Sequence, residues 1–127
     1  MYCIMKINKK VVNDIVIFTP EKLDEDRSSE EGVTIDIGNN KILVDEIDRE
    51  LEKGKNKIII NLKNISFVDS SGLQGLFTCA INVKKRSGKL LISNTNNNIL
   101  RIFKITSLLD IVANFKDESL AIDSLKD

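Results

Sequence analysis

Apolar residues in this chain come in short blocks whose spacing switches between the period of a strand and that of a helix. Ile4, Ile7, Val11 and Val12 form a first strand-like set, Asn13-Asp14 supplies turn chemistry, and Ile15, Val16, Ile17 and Phe18 make a short buried strand. Val33, Ile35 and Ile37 alternate with Thr34 and Asp36, which predicts a strand end. Ile42, Leu43, Ile47 and Leu51 recur at helical spacing with acids between them; Asn39 or Asn40 can cap that helix, and Gly54 ends it.

Ile58, Ile59 and Ile60 follow one another, as in a parallel strand covered by helices on both faces, and Ile65, Phe67 and Val68 carry an apolar run up to Asp69. Ser70 or Ser71 is placed to cap a second helix, whose buried stripe is Leu73, Leu76, Phe77, Ala80 and Ile81. Lys84, Lys85 and Arg86 suit the negative end of its dipole, and Ser87-Gly88 stops it. Leu90, Leu91 and Ile92 form another strand. A cap at Thr95 or Asn96 precedes the helical stripe Ile99, Ile102 and Phe103. A last short strand is predicted over 111–115, and Asp117 can cap a final helix through Leu120, Ala121 and Leu125. Alternating strands and helices predict an α/β layer fold.

Composition narrows the chemistry. The 127 residues fit one domain, expected to span 1–127. Histidine is absent, which removes Ser-His-Asp and Cys-His catalysis and most zinc sites, so no metal is expected. The 19 acids balance 19 bases, aromatics are few and Trp is absent, so neither nucleic acid nor a membrane surface is an expected partner. The basic group Lys84, Lys85, Arg86 and Lys89 reads as a solvated helix end. Cys3 and Cys79 are far apart; Cys79 reads as core, and nothing suggests a disulfide framework. With no signal-like or membrane-spanning run, a cytoplasmic location is expected. The segment 19–33 is rich in acids, including Glu21, Asp24, Glu25, Asp26, Glu30 and Glu31, and reads as a solvated loop or a patch for a basic partner.

The stretch Asp69-Ser70-Ser71-Gly72-Leu73-Gln74-Gly75 follows a buried strand and opens a helix. Free N–H groups and a partial positive charge at that helix end can stabilise a phosphate, and a phosphoserine adds about −1.5 to −2 charges. Gly72 and Gly75 each cost roughly 1 kcal/mol relative to Ala in a helix. Tolerating both points to close approach of another backbone, this chain's own or a partner's. A receiver domain phosphorylated on Asp69 would need an acid cluster and a helper Lys that are not found, and no Gly-x-Ser-x-Gly or phosphate-binding Gly-Lys loop occurs, so no enzyme or cofactor is expected.

The run INLKNISFVDSSGLQGL at 60–76, with Ser87-Gly88-Lys89-LLISN and ILRIFKITSLLDIV, resembles the STAS family, which includes bacterial anti-sigma-factor antagonists. The resemblance covers most of 4–125 and is strongest over 57–112. It implies a single-layer mixed β-sheet of four to five strands with helices packed alongside, and an acidic loop insertion at about 19–33. It also implies phosphorylation at Ser70 and a partner-binding surface at Asp36, Asp69, Ser71, Gly72, Leu73 and Gly75, with Asp24 the rival of Asp36 as the family's aspartate. The implied function is binding of an anti-sigma factor with serine-kinase activity, release on phosphorylation and resetting by a phosphatase. The alternative is a non-switching scaffold or subunit of a transport or stressosome-type complex. Ser107 stands where such proteins often carry glycine, so it must accept a conformation that glycine gives cheaply.

Overall fold

The computed structural model describes residues 5–22 and 32–126; Cys3, Ile4 and Asp24 lie outside them. Two antiparallel strands, β1 (Met5–Val12) and β2 (Ile15–Lys22), are joined through Asn13, whose φ of 57° allows the tight reversal. Of the predicted 19–33 insertion, residues 19–22 continue β2 and residue 33 opens β3 (Val33–Ile35); residues 23–31 lie outside the described residues. Then come α1 (Asn40–Glu52), β4 (Lys57–Asn61), β5 (Ile65–Val68), α2 (Ser70–Lys85), β6 (Lys89–Ser93) and α3 (Asn97–Ile105). A 3-10 turn (Leu108–Asp110), β7 (Ala113–Phe115) and α4 (Glu118–Ser124) follow.

The main sheet has five strands in the order β1-β2-β4-β6-β7, parallel except for β1 against β2, which makes it the mixed sheet expected. β3 and β5 form a separate parallel pair. The apolar run toward Asp69 therefore does not continue the main sheet. It turns at Leu62–Ile65, where the Ile65 N–H donates to the Leu62 carbonyl at 3.0 Å, and pairs with the strand that precedes α1. Asn96 caps α3, its Oδ1 accepting from Ile99 N–H at 2.8 Å, and its amide donates to the carbonyls of Ile65 and Ser66, both at 3.3 Å.

Successive side chains of a strand face opposite ways, and the triple isoleucine uses both directions. Val16, Phe18, Ile58, Ile60, Leu90 and Ile92 face α1, α2 and α3, where they meet Leu43, Ile47, Leu76, Cys79 and Phe103. Ile15, Ile17, Ile59 and Leu91 face the other way, onto Ala121 and Leu125 of α4. Burying each Val, Ile, Leu or Phe among them stabilises the fold by about 1.5–3 kcal/mol.

Glu50 of α1 is only 3% exposed and takes hydrogen bonds on Oε2 from Lys9 of β1 at 3.2 Å and from Lys53 at 3.3 Å. Burial is the largest single influence and raises its pKa. The two lysine hydrogen bonds and charges together outweigh it, so the carboxyl sits below its ordinary value. Ser107 precedes the 3-10 turn with φ 67°, the left-handed conformation anticipated for it.

Two outcomes follow. Ser107 is exposed, so Ser107→Gly loses no packing, and it should raise the unfolding free energy by about 0.5–1 kcal/mol in urea titrations. An unchanged midpoint would mean the turn carries no strain. A carboxyl depressed in the folded state contributes stability above its unfolded pKa and loses it as pH falls through the folded one. Glu50→Gln should therefore cost about 1–2 kcal/mol at neutral pH, with the gap from wild type narrowing as pH falls below the ordinary Glu value of about 4.3. A gap independent of pH would contradict the assignment.

Candidate functional site

The site is built where the β3–β5 pair hands the chain to two helices. Ile35 pairs with Val68, and the Ile35 carbonyl accepts from the Asp69 N–H at 3.1 Å. Asp69, not Ser70 or Ser71, is the N-cap of α2: its Oδ1 accepts from the Gly72 N–H at 2.8 Å. All three side chains are good caps on sequence grounds, and the extended backbone at Asp69 (ψ −177°) decides between them. The Asp69 carbonyl takes the Leu73 N–H at 2.8 Å. Ser70 is thus the first helical residue, with its side chain free of capping duty and exposed to solvent. Ser71 is half-buried.

The two glycines answer to this chain's own packing. A methyl group on Gly72 would run into the Ile35 carbonyl oxygen, and one on Gly75 would lie 2.8 Å from Cβ of Asn40 at the start of α1. Both are buried, while Leu73 is half-buried and packs against the main core. Together they press the first turns of α2 onto the corner between β3 and α1.

Asp36 holds that corner. Its Oδ1 accepts from the Gly38 N–H at 2.9 Å, and its carbonyl accepts from the Asn40 backbone at 2.9 Å and the Asn40 side-chain amide at 2.9 Å. Asn39 stands at the N-cap position of α1 without making a cap bond. It is turned inward instead, Oδ1 accepting from the Asp36 N–H at 2.8 Å and Nδ2 donating to the Thr34 carbonyl at 2.7 Å. Asp36 follows directly on Ile35, against which Gly72 lies, so Asp36, Asp69, Ser70 and Ser71 come together at one end of the molecule. Asp24, the rival aspartate, is outside the described residues.

Between α1 and α2 runs a groove of about 330 Å³, lined among others by Ile37, Lys41, Val44, Ser71, Gln74 and Thr78. Ile37 is 82% exposed beside it. Strand-like alternation suggested that Ile37 closed β3, but the strand ends at Ile35 and the turn at 37–39 throws the side chain outward. The groove had no local sequence signal, because its two walls lie about thirty residues apart. Phe67 and Ile42 add further exposed apolar surface. Lys41 is tied to Asp45 one helical turn on, at 2.9 Å.

The remaining chemistry is spare. Burial, with a smaller push from the Asp48 charge, raises the Cys79 thiol to about 12, so it is a packing residue and not a thiolate nucleophile. Among the described residues no three His, Cys, Asp or Glu side chains gather in a metal-sized cluster, and no helix is long and apolar enough to cross a membrane.

Known proteins resemble this chain in sequence and fold. An anti-sigma-B factor antagonist of Bacillus subtilis (strain 168) is 35% identical over 79 residues, which are 61% of this chain and 71% of that protein. The crystal structure of a putative anti-sigma factor antagonist from Thermotoga maritima superposes with a TM-score of 0.80 at 23% identity, covering 95% of each chain. The Bacillus cell fate determinant SpoIIAA, solved in its phosphorylated form, superposes with a TM-score of 0.67 at 18% identity over 97% of this chain and 100% of its own; at these identities the two structures speak for the fold alone. The family model described as STAS domain matches residues 32–121, from the start of β3 into α4, and a match over that much of the sequence makes the protein a member of the STAS domain family.

Proposed function

We propose that this protein is an anti-sigma-factor antagonist, a non-enzymatic cytoplasmic regulator of sigma-factor-dependent transcription. In its unphosphorylated state it binds an anti-sigma factor that is also a serine kinase. Phosphorylation of Ser70 releases that partner, and a phosphatase resets the switch. The observation that carries this reading is the position of Ser70: exposed, first in α2, relieved of capping by Asp69 and adjoining an apolar-edged groove. The likeness to the Bacillus subtilis antagonist supports it.

The physics of the switch is short. A phosphate on Ser70 Oγ sits within reach of the first-turn N–H groups of α2 and the positive end of its dipole, so the fold tolerates it. A partner already docked against the same end meets a new dianion next to Asp69 and Asp36, and desolvating it opposes binding. A tenfold loss of affinity needs only about 1.4 kcal/mol. Gly72, Gly75 and Leu73 shape the surface from beneath, while Asp36, Asp69 and Ser71 flank the phosphorylated position.

The test uses the anti-sigma-factor kinase encoded by the same organism, purified and titrated calorimetrically. Wild type and Ser70→Ala should bind alike, and Ser70→Asp should bind about tenfold more weakly or worse. With ATP, phosphate should appear on Ser70 of the wild type by mass spectrometry and on no residue of Ser70→Ala. Equal binding by all three proteins, with no phosphate on Ser70, would favour the non-switching scaffold. Ile37 packs against little in the free protein, so Ile37→Ser should leave the melting temperature unchanged and weaken kinase binding about tenfold. Undiminished binding would place the docking surface elsewhere.

A further inference from the structure

The sheet face beneath α4 changes character part-way along its strands. Ile17, Ile59 and Leu91 pack on Ala121 and Leu125. Two residues further toward the carboxyl ends, the same face carries Thr19, Asn61 and Ser93, with Asn8 of β1 as the register partner of Thr19 and Asn61 as that of Ser93. A polar row thus crosses four strands. Asn61 is 3% exposed and Ser93 fully buried, where larger aliphatic residues would continue the apolar layer at lower desolvation cost.

Asn61 is held in place: its amide donates to Glu118 Oε1 at 3.0 Å, and its Oδ1 accepts from the Lys63 N–H at 2.9 Å. Ser93 Oγ and Asn94 Oδ1 are buried without a hydrogen-bond partner among the described residues. Over the row lies a cavity of about 360 Å³, walled by Asn8, Thr19, Asn61 and Asn94 together with Lys63 and Ser119. Lys10, also in the wall, is neutralised by Glu118 at 2.6 Å. The Lys63 ammonium makes no ion pair within 4 Å among the described residues, though its charge also acts on the Glu118 carboxylate.

We propose that this cavity binds a small polyhydroxylated monoanion or dianion of the sugar-phosphate or polyol-phosphate class. Amides and hydroxyls both donate and accept, as each hydroxyl of a sugar requires. Lys63 supplies the point charge for one phosphate. Glu21, paired with Lys6 at 3.8 Å, and Asp117, whose Oδ1 caps α4, also line the cavity; their remaining oxygens accept from hydroxyls, and their charge limits the site to one phosphate. Among the described residues no aromatic ring lines the cavity for a base to stack on, which weighs against nucleotides. The position, at the carboxyl ends of parallel strands β4 and β6, is where open α/β sheets hold ligands. It lies across the sheet from the α1–α2 groove, so the proposal stands whether or not Ser70 is a switch.

The test is a proton–nitrogen NMR titration of the full chain with glucose 6-phosphate and myo-inositol 1-phosphate, with glucose and inorganic phosphate as controls. One of the sugar or polyol phosphates should give saturable shifts at the amides of Asn8, Thr19, Asn61 and Asn94, and bind more tightly than either control. Lys63→Met and Thr19→Val, which should keep the dispersed spectrum of a folded protein, should each weaken it about tenfold. The proposal is overturned if neither phosphate ester gives saturable shifts there, if inorganic phosphate binds as well as the ester, or if both variants bind like wild type.

Discussion

The contact on which the site depends is the approach of the Gly72 backbone to the Ile35 carbonyl. That carbonyl already accepts the Asp69 N–H, so the end of β3 is bonded to the residue before α2 and in van der Waals contact with its first turn. Any side chain at Gly72 would push α2 away from the β3–α1 corner. The hydrogen bond from Asp69, the cap it forms and the groove above Ser71 would all shift with it. A glycine that weakens a helix by roughly 1 kcal/mol is retained because only hydrogen fits between two backbones.

The main sheet shows how one short sequence serves two layers. Three consecutive isoleucines divide their side chains between the helices on one face and α4 on the other. The ion pair of Lys10 with Glu118, and the bond from Asn61 to the same carboxylate, tie α4 to the sheet through polar contacts where its apolar contacts stop. Burial is the largest influence on Glu118 and raises its pKa, but the bonds from Lys10 and Asn61 and the lysine charges leave the carboxyl below its ordinary value. A short helix with one buried alanine in its span thus has polar ties to the sheet in addition to its packing on Ile15, Ile17, Ile59 and Leu91.

Much of this architecture was legible in the residues. Helical spacing located α1, α2 and α3, and Asp117 does cap α4, accepting from the Leu120 N–H at 2.9 Å. The motif 69–75 does open a helix, and the left-handed turn at Ser107 agrees with what the family resemblance implied. What the sequence could not supply were decisions made by distant partners. Ile65–Val68 reads as more of the same sheet until its pairing with Val33–Ile35 is seen. Asp69 and Ser70 are equivalent caps until the backbone angle is fixed. Ile37 alternates as a buried strand residue, yet the chain has already turned. The polar row Asn8, Thr19, Asn61 and Ser93 has no linear signature, because its members are brought into line only by strand register.

The side-chain amide of Asn96 has a wider consequence. Strand pairs as short as β3 and β5 expose unsatisfied carbonyls, and these invite an extended peptide to join as a further strand. By donating to Ile65 and Ser66, Asn96 occupies acceptors at the start of β5, beside exposed Phe67. That edge is thereby closed to main-chain zippering at those two positions, and the pair keeps its two strands without a charged residue in either of them to guard it.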